Sequence, residues 1–223
     1  SFWDLGNAYG PSSFWKAAEK GEYVIVEFDA ETEISRMACS NNIPKNGSYT
    51  VYYEDGDGTG EYKKFESISM ETFFEWKFTD KKVTTKRIKV VADTAGLAVN
   101  ELGFFAKDSN GEYRRINLKV IETKYNKDLN EDCNPGMLFD EQEVVEPYSS
   151  YRSSTYFDEI YFPRTAYESI NGYDIYEITH PPMGKNIMAL GIQIFGMNPF
   201  GWRFMGTLFG VGLVPLMYLL GLK

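Results

Sequence analysis

EYVIVEF, residues 22–28, is a run of β-branched and aromatic residues bounded by Gly21 and Asp29. It has the composition and length of a buried or half-buried strand. The same texture returns at 48–54 (SYTVYYE), 72–78 (TFFEWKF), 86–92 (KRIKVVA), 99–106 (VNELGFFA) and 113–120 (YRRINLKV). Between these runs lie turn residues: Asn46-Gly47, the glycine-rich run 55–60, and Asn110-Gly111. Six to eight short strands at this spacing, with no long amphipathic helix among them, predict an antiparallel β-sandwich over residues 1–120. The fold class expected is therefore mainly β.

The remainder of the chain differs in kind. Of the net charge of -9 on 223 residues, residues 1–147 hold all of it, with 18 Lys/Arg against 27 Asp/Glu. Residues 148–223 hold five charges of each sign, and from 187 to 222 Arg203 is the one charged side chain. With 43% hydrophobic residues, the chain is no disordered segment. No basic patch gathers to neutralise phosphates, so a nucleic-acid partner is not expected. Residues 121–157 are polar and acidic and read as a linker with at most a short helix. Two cysteines, Cys39 and Cys133, and a single histidine make a Cys/His zinc site untenable. The two thiols read as free, with a disulfide as the other option. Starting at Ser1 without a signal peptide and stopping at Lys223 where an apolar run ends, the sequence reads as a piece of a longer protein.

Asp55-Gly-Asp57-Gly-Thr59-Gly60, with Glu66 at the twelfth position, imitates an EF-hand calcium loop. Its flanks, YTVYYE and YKKFESI, have strand rather than helix character. A hairpin turn is the expected outcome, with an irregular calcium loop as the alternative.

In the last third, residues 183–195 are mostly apolar, with Lys185 and Gln193 as exceptions, and are too short to span a bilayer. They suit an interfacial helix. Residues 204–222 are 19 consecutive uncharged, mostly apolar residues, long enough to cross. Gly206, Gly210 and Gly212 would permit close helix packing, and Pro215 a kink. One membrane helix is expected, running outside to inside if Lys223 obeys the positive-inside rule. Arg203 at its entrance is an anchor or a functional group. Asp158-Glu159 and the stretch His180-Pro-Pro-Met-Gly-Lys185 precede it.

Two resemblances follow from these residues. Val24-Ile-Val-Glu-Phe28, Ile34-Ser-Arg-Met37, Tyr49-Thr-Val-Tyr-Tyr-Glu-Asp55-Gly56, Thr85-Lys-Arg-Ile-Lys-Val90 and Asn100-Glu-Leu-Gly-Phe104 together resemble the discoidin family of galactose-binding-like jelly rolls. That implies sugar binding through loops and exposed aromatics. Trp3, Trp15 and Trp76 are the candidate stacking rings, and a structural calcium is implied without assigned ligands. Asp158-Glu159, His180-Pro-Pro-Met-Gly-Lys185 and Asn198-Pro-Phe-Gly-Trp-Arg203 resemble the protein O-mannosyltransferase family, glycosyltransferase family 39 of the polytopic GT-C type, in its bacterial branch.

The second resemblance, over 158–223, implies a membrane glycosyltransferase. It would move a hexose from a polyprenyl phosphate sugar to a hydroxyl of a protein or glycan acceptor. Asp158 is then the candidate base, Glu159 its helper, and Arg203 the candidate holder of the leaving phosphate, with Lys185 and His180 in the same region. The sandwich and catalytic loop would lie on the extracytoplasmic side of the cell membrane. The piece alone would be inactive. Two other readings remain open: a sugar-binding or adhesive sandwich tethered by one helix, and a soluble lectin-like domain with a buried C-terminal helix.

Overall fold

The computed structural model describes residues 4–41, 47–56, 60–70 and 74–222. The strands are β1 (Trp15–Lys16), β2 (Tyr23–Ile34), β3 (Arg36–Ser40), β4 (Gly47–Glu54), β5 (Tyr62–Met70), β6 (Trp76–Thr79), β7 (Val83–Ala92), β8 (Ala98–Val99), β9 (Glu101–Lys107), β10 (Tyr113–Arg115) and β11 (Leu118–Lys124). One sheet has the order β11-β2-β7-β4-β5 and a second β10-β9-β3-β6, with β1 and β8 as a small pair. Every pairing is antiparallel. Alternation along β7 does what the sequence pattern predicts, whereas β3 and β9 are buried along most of their length. Val24, Val26 and Phe28 of β2 and Ile88, Val90 and Ala92 of β7 turn inward. They share one core with Met37, Cys39, Leu102 and Phe104 of the second sheet.

The imitation calcium loop is a hairpin connection. β4 and β5 pair from Gly47↔Met70 to Glu54↔Tyr62, and Asp55 carries an ion pair to Lys63. Residues 57–59 lie outside the described residues. No disulfide forms: Cys39 and Cys133 are both free.

The sandwich domain is larger than expected. Pro11–Tyr148 forms one compact unit. β11 already reaches Lys124, and residues expected as linker add a further layer. Leu138 and Phe139 enter the main core, and Phe139 stacks on Phe104 with ring centroids 6.4 Å apart. Val145 covers the other face of β9, packing with Ala38, Trp76 and Phe105. Gly103 permits that cover, because a Cβ there would stand 2.5 Å from Cγ1 of Val145. Two acidic residues beside these anchors, Asp140 and Glu141, are held by the Ser12 and Ser13 side chains, so the acidic stretch is pinned rather than loose.

The second unit comprises Ser1–Gly10 and Ser149–Lys223. After the single turn α1 (Lys127–Asn130) of the sandwich come α2 (Phe162–Asn171), α3 (Pro182–Phe195) and α4 (Pro199–Gly221), all three in this unit. Ala166, Ile192 and Trp202 form its small core. α3 and α4 touch at Gly191, where a Cβ would meet the Gly201 carbonyl oxygen at 2.4 Å. The close-packing glycines are thus Gly191 and Gly201. Gly206, Gly210 and Gly212 have nothing within 4 Å of a Cβ position.

α4 begins with Asn198 as cap, its side chain accepting from the Gly201 amide at 2.8 Å, and with Pro199 in the first turn. It runs for 23 residues, about 34 Å at 1.5 Å per residue, and is long and apolar enough to cross a membrane. From Leu208 to Leu222 its large hydrophobic side chains are between 44% and 71% exposed. Among the described residues nothing covers them.

Candidate active site

Asp158 and Glu159 sit in a 3-10 turn, Phe157–Ile160, just ahead of α2. Phe157 has φ +52°, a left-handed conformation that costs a bulky residue energy. Glu159 folds back to accept the Tyr156 amide at 3.0 Å. Arg203, in the second turn of α4, grips the same carboxylate with two donors, Nε at 2.6 Å and Nη2 at 2.5 Å. This is a bidentate, charge-assisted fork. The rest of the guanidinium is engaged as well. Nη1 donates to the carbonyls of Leu5 at 2.8 Å and Tyr151 at 2.5 Å, and Nη2 also reaches the Ser154 carbonyl at 3.4 Å. All five N–H groups of the arginine are accounted for.

The N-terminal segment closes the arrangement. Asn7 donates to the Arg152 carbonyl at 2.7 Å and accepts from the Phe200 amide at 3.1 Å. Gly6, at φ +112°, is required where the chain passes Pro199, because a Cβ would stand 2.5 Å from the proline's own. A cleft of 660 Å³ opens here, lined among others by Tyr151, Thr155, Tyr156, Glu159 and Arg203. Asp158, next to Glu159 in the turn, is exposed, and among the described residues no hydrogen bond or ion pair engages its carboxylate. A carboxylate left free beside a clamped one differs from its neighbour: Asp158 can turn to a ligand, whereas Glu159 is fixed.

His180 and Lys185 form a second group, organised by Glu177. Glu177 accepts from the Lys185 ammonium, the Thr179 hydroxyl, the Thr179 amide at 2.6 Å and the His180 amide at 3.2 Å. The His180 Nδ1 lies 3.1 Å from it. Lys185 foremost, then the Thr179 hydroxyl, hold this carboxyl well below the usual carboxylate range. Among the described residues no hydrogen bond or ion pair joins this group to Arg203. Arg203 and Lys185, expected as cationic donors to a phosphate, are both engaged within the protein. Arg203 has no donor left, and Lys185 is buried against Glu177 and its carbonyl.

The sugar-stacking residues require correction. Trp15 is 0% exposed and Trp76 5%, so both are core residues with no ring face for a ligand. Trp3 lies outside the described residues.

Among the described residues, one group qualifies for a cation: a carboxylate oxygen of each of Glu101, Asp140 and Glu141 lies within 4.8 Å of the other two. Three carboxylates suit a hard, oxygen-seeking ion. Without one, Glu101 is fully buried, accepting from Gln142 Nε2 at 2.6 Å. Burial pushes its carboxyl up to about 9. Between its ordinary 4.5 and about 9 the folded chain holds a proton that the unfolded chain releases. Stability from this group therefore falls as pH rises across that window, by at most about 1.4 kcal/mol per unit, and levels off above it. Glu101→Gln, which imitates the protonated acid, should flatten that slope in thermal melts between about pH 5 and about pH 9. An unchanged slope would place the titration elsewhere.

No family model matches the chain. Among curated proteins, 66 residues are 42% identical to the polyprenol-phosphate-mannose–protein mannosyltransferase of Mycobacterium tuberculosis, covering 27% of this chain and 13% of that protein. The protein of the same name from Mycolicibacterium smegmatis matches at 37% over 68 residues, with the same coverage. Over these stretches the chain is similar to protein mannosyltransferases. The Corynebacterium glutamicum mannosyltransferase matches at 46% over 43 residues, 19% of this chain and 8% of that protein. The chain thus spans about an eighth of the length of the mannosyltransferases first named. Among solved structures, a Ruminococcus gnavus family 29 fucosidase in complex with fucose aligns with TM-score 0.35 and 19% identity, over 44% of this chain and 20% of that one. A pectin-binding carbohydrate-binding module aligns with TM-score 0.34 and 21% identity, over 41% and 71%.

Proposed function

We propose that this chain is part of an integral-membrane mannosyltransferase and carries its acid–base residues. The donor is a polyprenyl phosphate hexose and the acceptor a hydroxyl of a protein. The observation that carries this reading is the Glu159–Arg203 fork beside the free carboxylate of Asp158, at the head of a helix able to cross a membrane. The similarity to the mannosyltransferases supports it.

In the proposed step, Asp158 takes the acceptor proton as the acceptor oxygen attacks the anomeric carbon. The bond from that carbon to the lipid phosphate breaks, and the lipid phosphate leaves. Glu159, unable to move, fixes the turn that aims Asp158. Arg203 is a positioning residue that ties Glu159 to Leu5, Tyr151 and Ser154. Proton transfer and lipid chemistry then meet at the extracytoplasmic face of the cell membrane. A structural calcium in the sandwich belongs to the same proposal, with Glu101, Asp140 and Glu141 as the residues able to hold it. The test is transfer of labelled mannose from synthetic polyprenyl phosphate mannose to a threonine peptide, by membranes carrying the complete natural protein. Transfer dependent on that protein is expected. Its absence, with the protein present and folded, would favour a membrane-tethered module without chemistry.

A further inference from the structure

A second cavity, of 250 Å³, opens between α2 and the start of α3. Thr165 and Ser169 of α2, Asn186 of α3 and His180 of the intervening turn border it, with Ile178 and Pro182 as apolar wall. We propose that it is a binding subsite for an uncharged, hydroxyl-bearing ligand of the size of one hexose ring, with Nε2 of His180 as a hydrogen-bonding partner.

Three observations carry this. The first is the tautomer of His180. Its Nδ1 lies 3.1 Å from an oxygen of the Glu177 carboxylate. Two lone pairs would repel at that distance, so Nδ1 bears the proton and donates. The ring then presents Nε2 outward, and the side chain is 59% exposed. The ring is held edge-on against Phe162, with centroids 5.0 Å apart. The second is charge. The cavity's two ionic groups, Glu177 and Lys185, neutralise each other, Lys185 being bound to both the carboxylate and the carbonyl of Glu177. An anion entering here finds no free cation, whereas a neutral ligand meets no unpaired charge. The third is the unmet hydrogen bonding of the wall. The Thr165 hydroxyl is buried and without a partner, where buried polar groups are normally satisfied. Thr165 is among the residues that line the cavity. Hydroxyl, amide and imidazole groups beside an aliphatic wall match a pyranose, which has a hydroxyl rim and an apolar face.

Glu177 is then the positioning residue of the subsite, acting through His180. The inference stands apart from the Asp158 reading, and the experiment separates the two. The full chain in detergent micelles is titrated with methyl α-D-mannopyranoside and, separately, with inorganic phosphate. Saturation-transfer NMR reports binding, and the imidazole 15N shifts report the His180 tautomer. Saturable mannoside binding is expected, together with Nδ1–H shifts. His180→Asn keeps a donor where Nδ1 was and removes Nε2, so it should weaken binding about tenfold, the effect of one lost hydrogen bond. Glu177→Gln should mix the two tautomers. Asp158→Asn should leave mannoside binding unchanged. The proposal is overturned by any of three results: no saturable mannoside binding, binding indifferent to His180→Asn, or phosphate binding in place of mannoside.

Discussion

Asp158→Asn is expected to abolish mannosyl transfer while leaving the protein folded and in the membrane. The substitution is nearly isosteric and removes only the capacity to take a proton. A positioned general base contributes on the order of 10²–10⁴ in rate, and the loss should fall in kcat with KM for the lipid donor little changed. Stability should not move, because no described partner engages the Asp158 carboxylate, so the thermal midpoint serves as the control. Transfer within about threefold of the natural protein would remove Asp158 from the chemistry, since it would leave far less than the rate a general base supplies.

Arg203→Met should have the second-largest effect, and a different signature. It strips three carbonyls and one carboxylate of their donors at a stroke. Glu159 keeps 27% of its side chain exposed, so water relieves part of its loss. The cost should be about 2–4 kcal/mol, below the 3–5 expected for a fully buried pair. Loss of activity should accompany a lowered unfolding temperature, and limited proteolysis should begin to cut near residues 4–8 and 150–155. Arg203→Lys should recover only a fraction, because a single ammonium with three donors cannot serve five directions. A variant with normal stability and no transfer would instead put Arg203 in direct contact with substrate.

The sandwich was legible because its strands alternate. Residues 23–28, 48–54 and 86–92 fall within β2, β4 and β7, and their inward sets share one core. The stretch after β11 was not legible. Leu138, Phe139 and Val145 are scattered among acids with no period, and what buries them is a surface formed by residues as distant as Gly103. In the second unit, the order of Asp158, Glu159 and Arg203 made them candidates, and the pairing of Glu159 with Arg203 was not legible. The consumption of every Arg203 donor did not follow from sequence, because three acceptors are main-chain carbonyls that any residue carries. Glu177 was passed over for a similar reason: one acid in a polar turn gains meaning only once Thr179, His180 and Lys185 converge on it. Trp15 and Trp76 misled because aromatic content does not distinguish a core ring from a stacking platform.

The bond from Arg203 to the Leu5 carbonyl joins residues 198 positions apart. A ribosome adding roughly 5–20 residues per second needs about 10–40 s to travel between them. Throughout that interval the first ten residues wait while Pro11–Tyr148 is made and folds. The clamp on Glu159 therefore cannot close until the sandwich between its two ends has been made. A chain stalled within the sandwich would carry neither Glu159 nor α4, so the closed clamp marks a chain that has passed through the whole excursion.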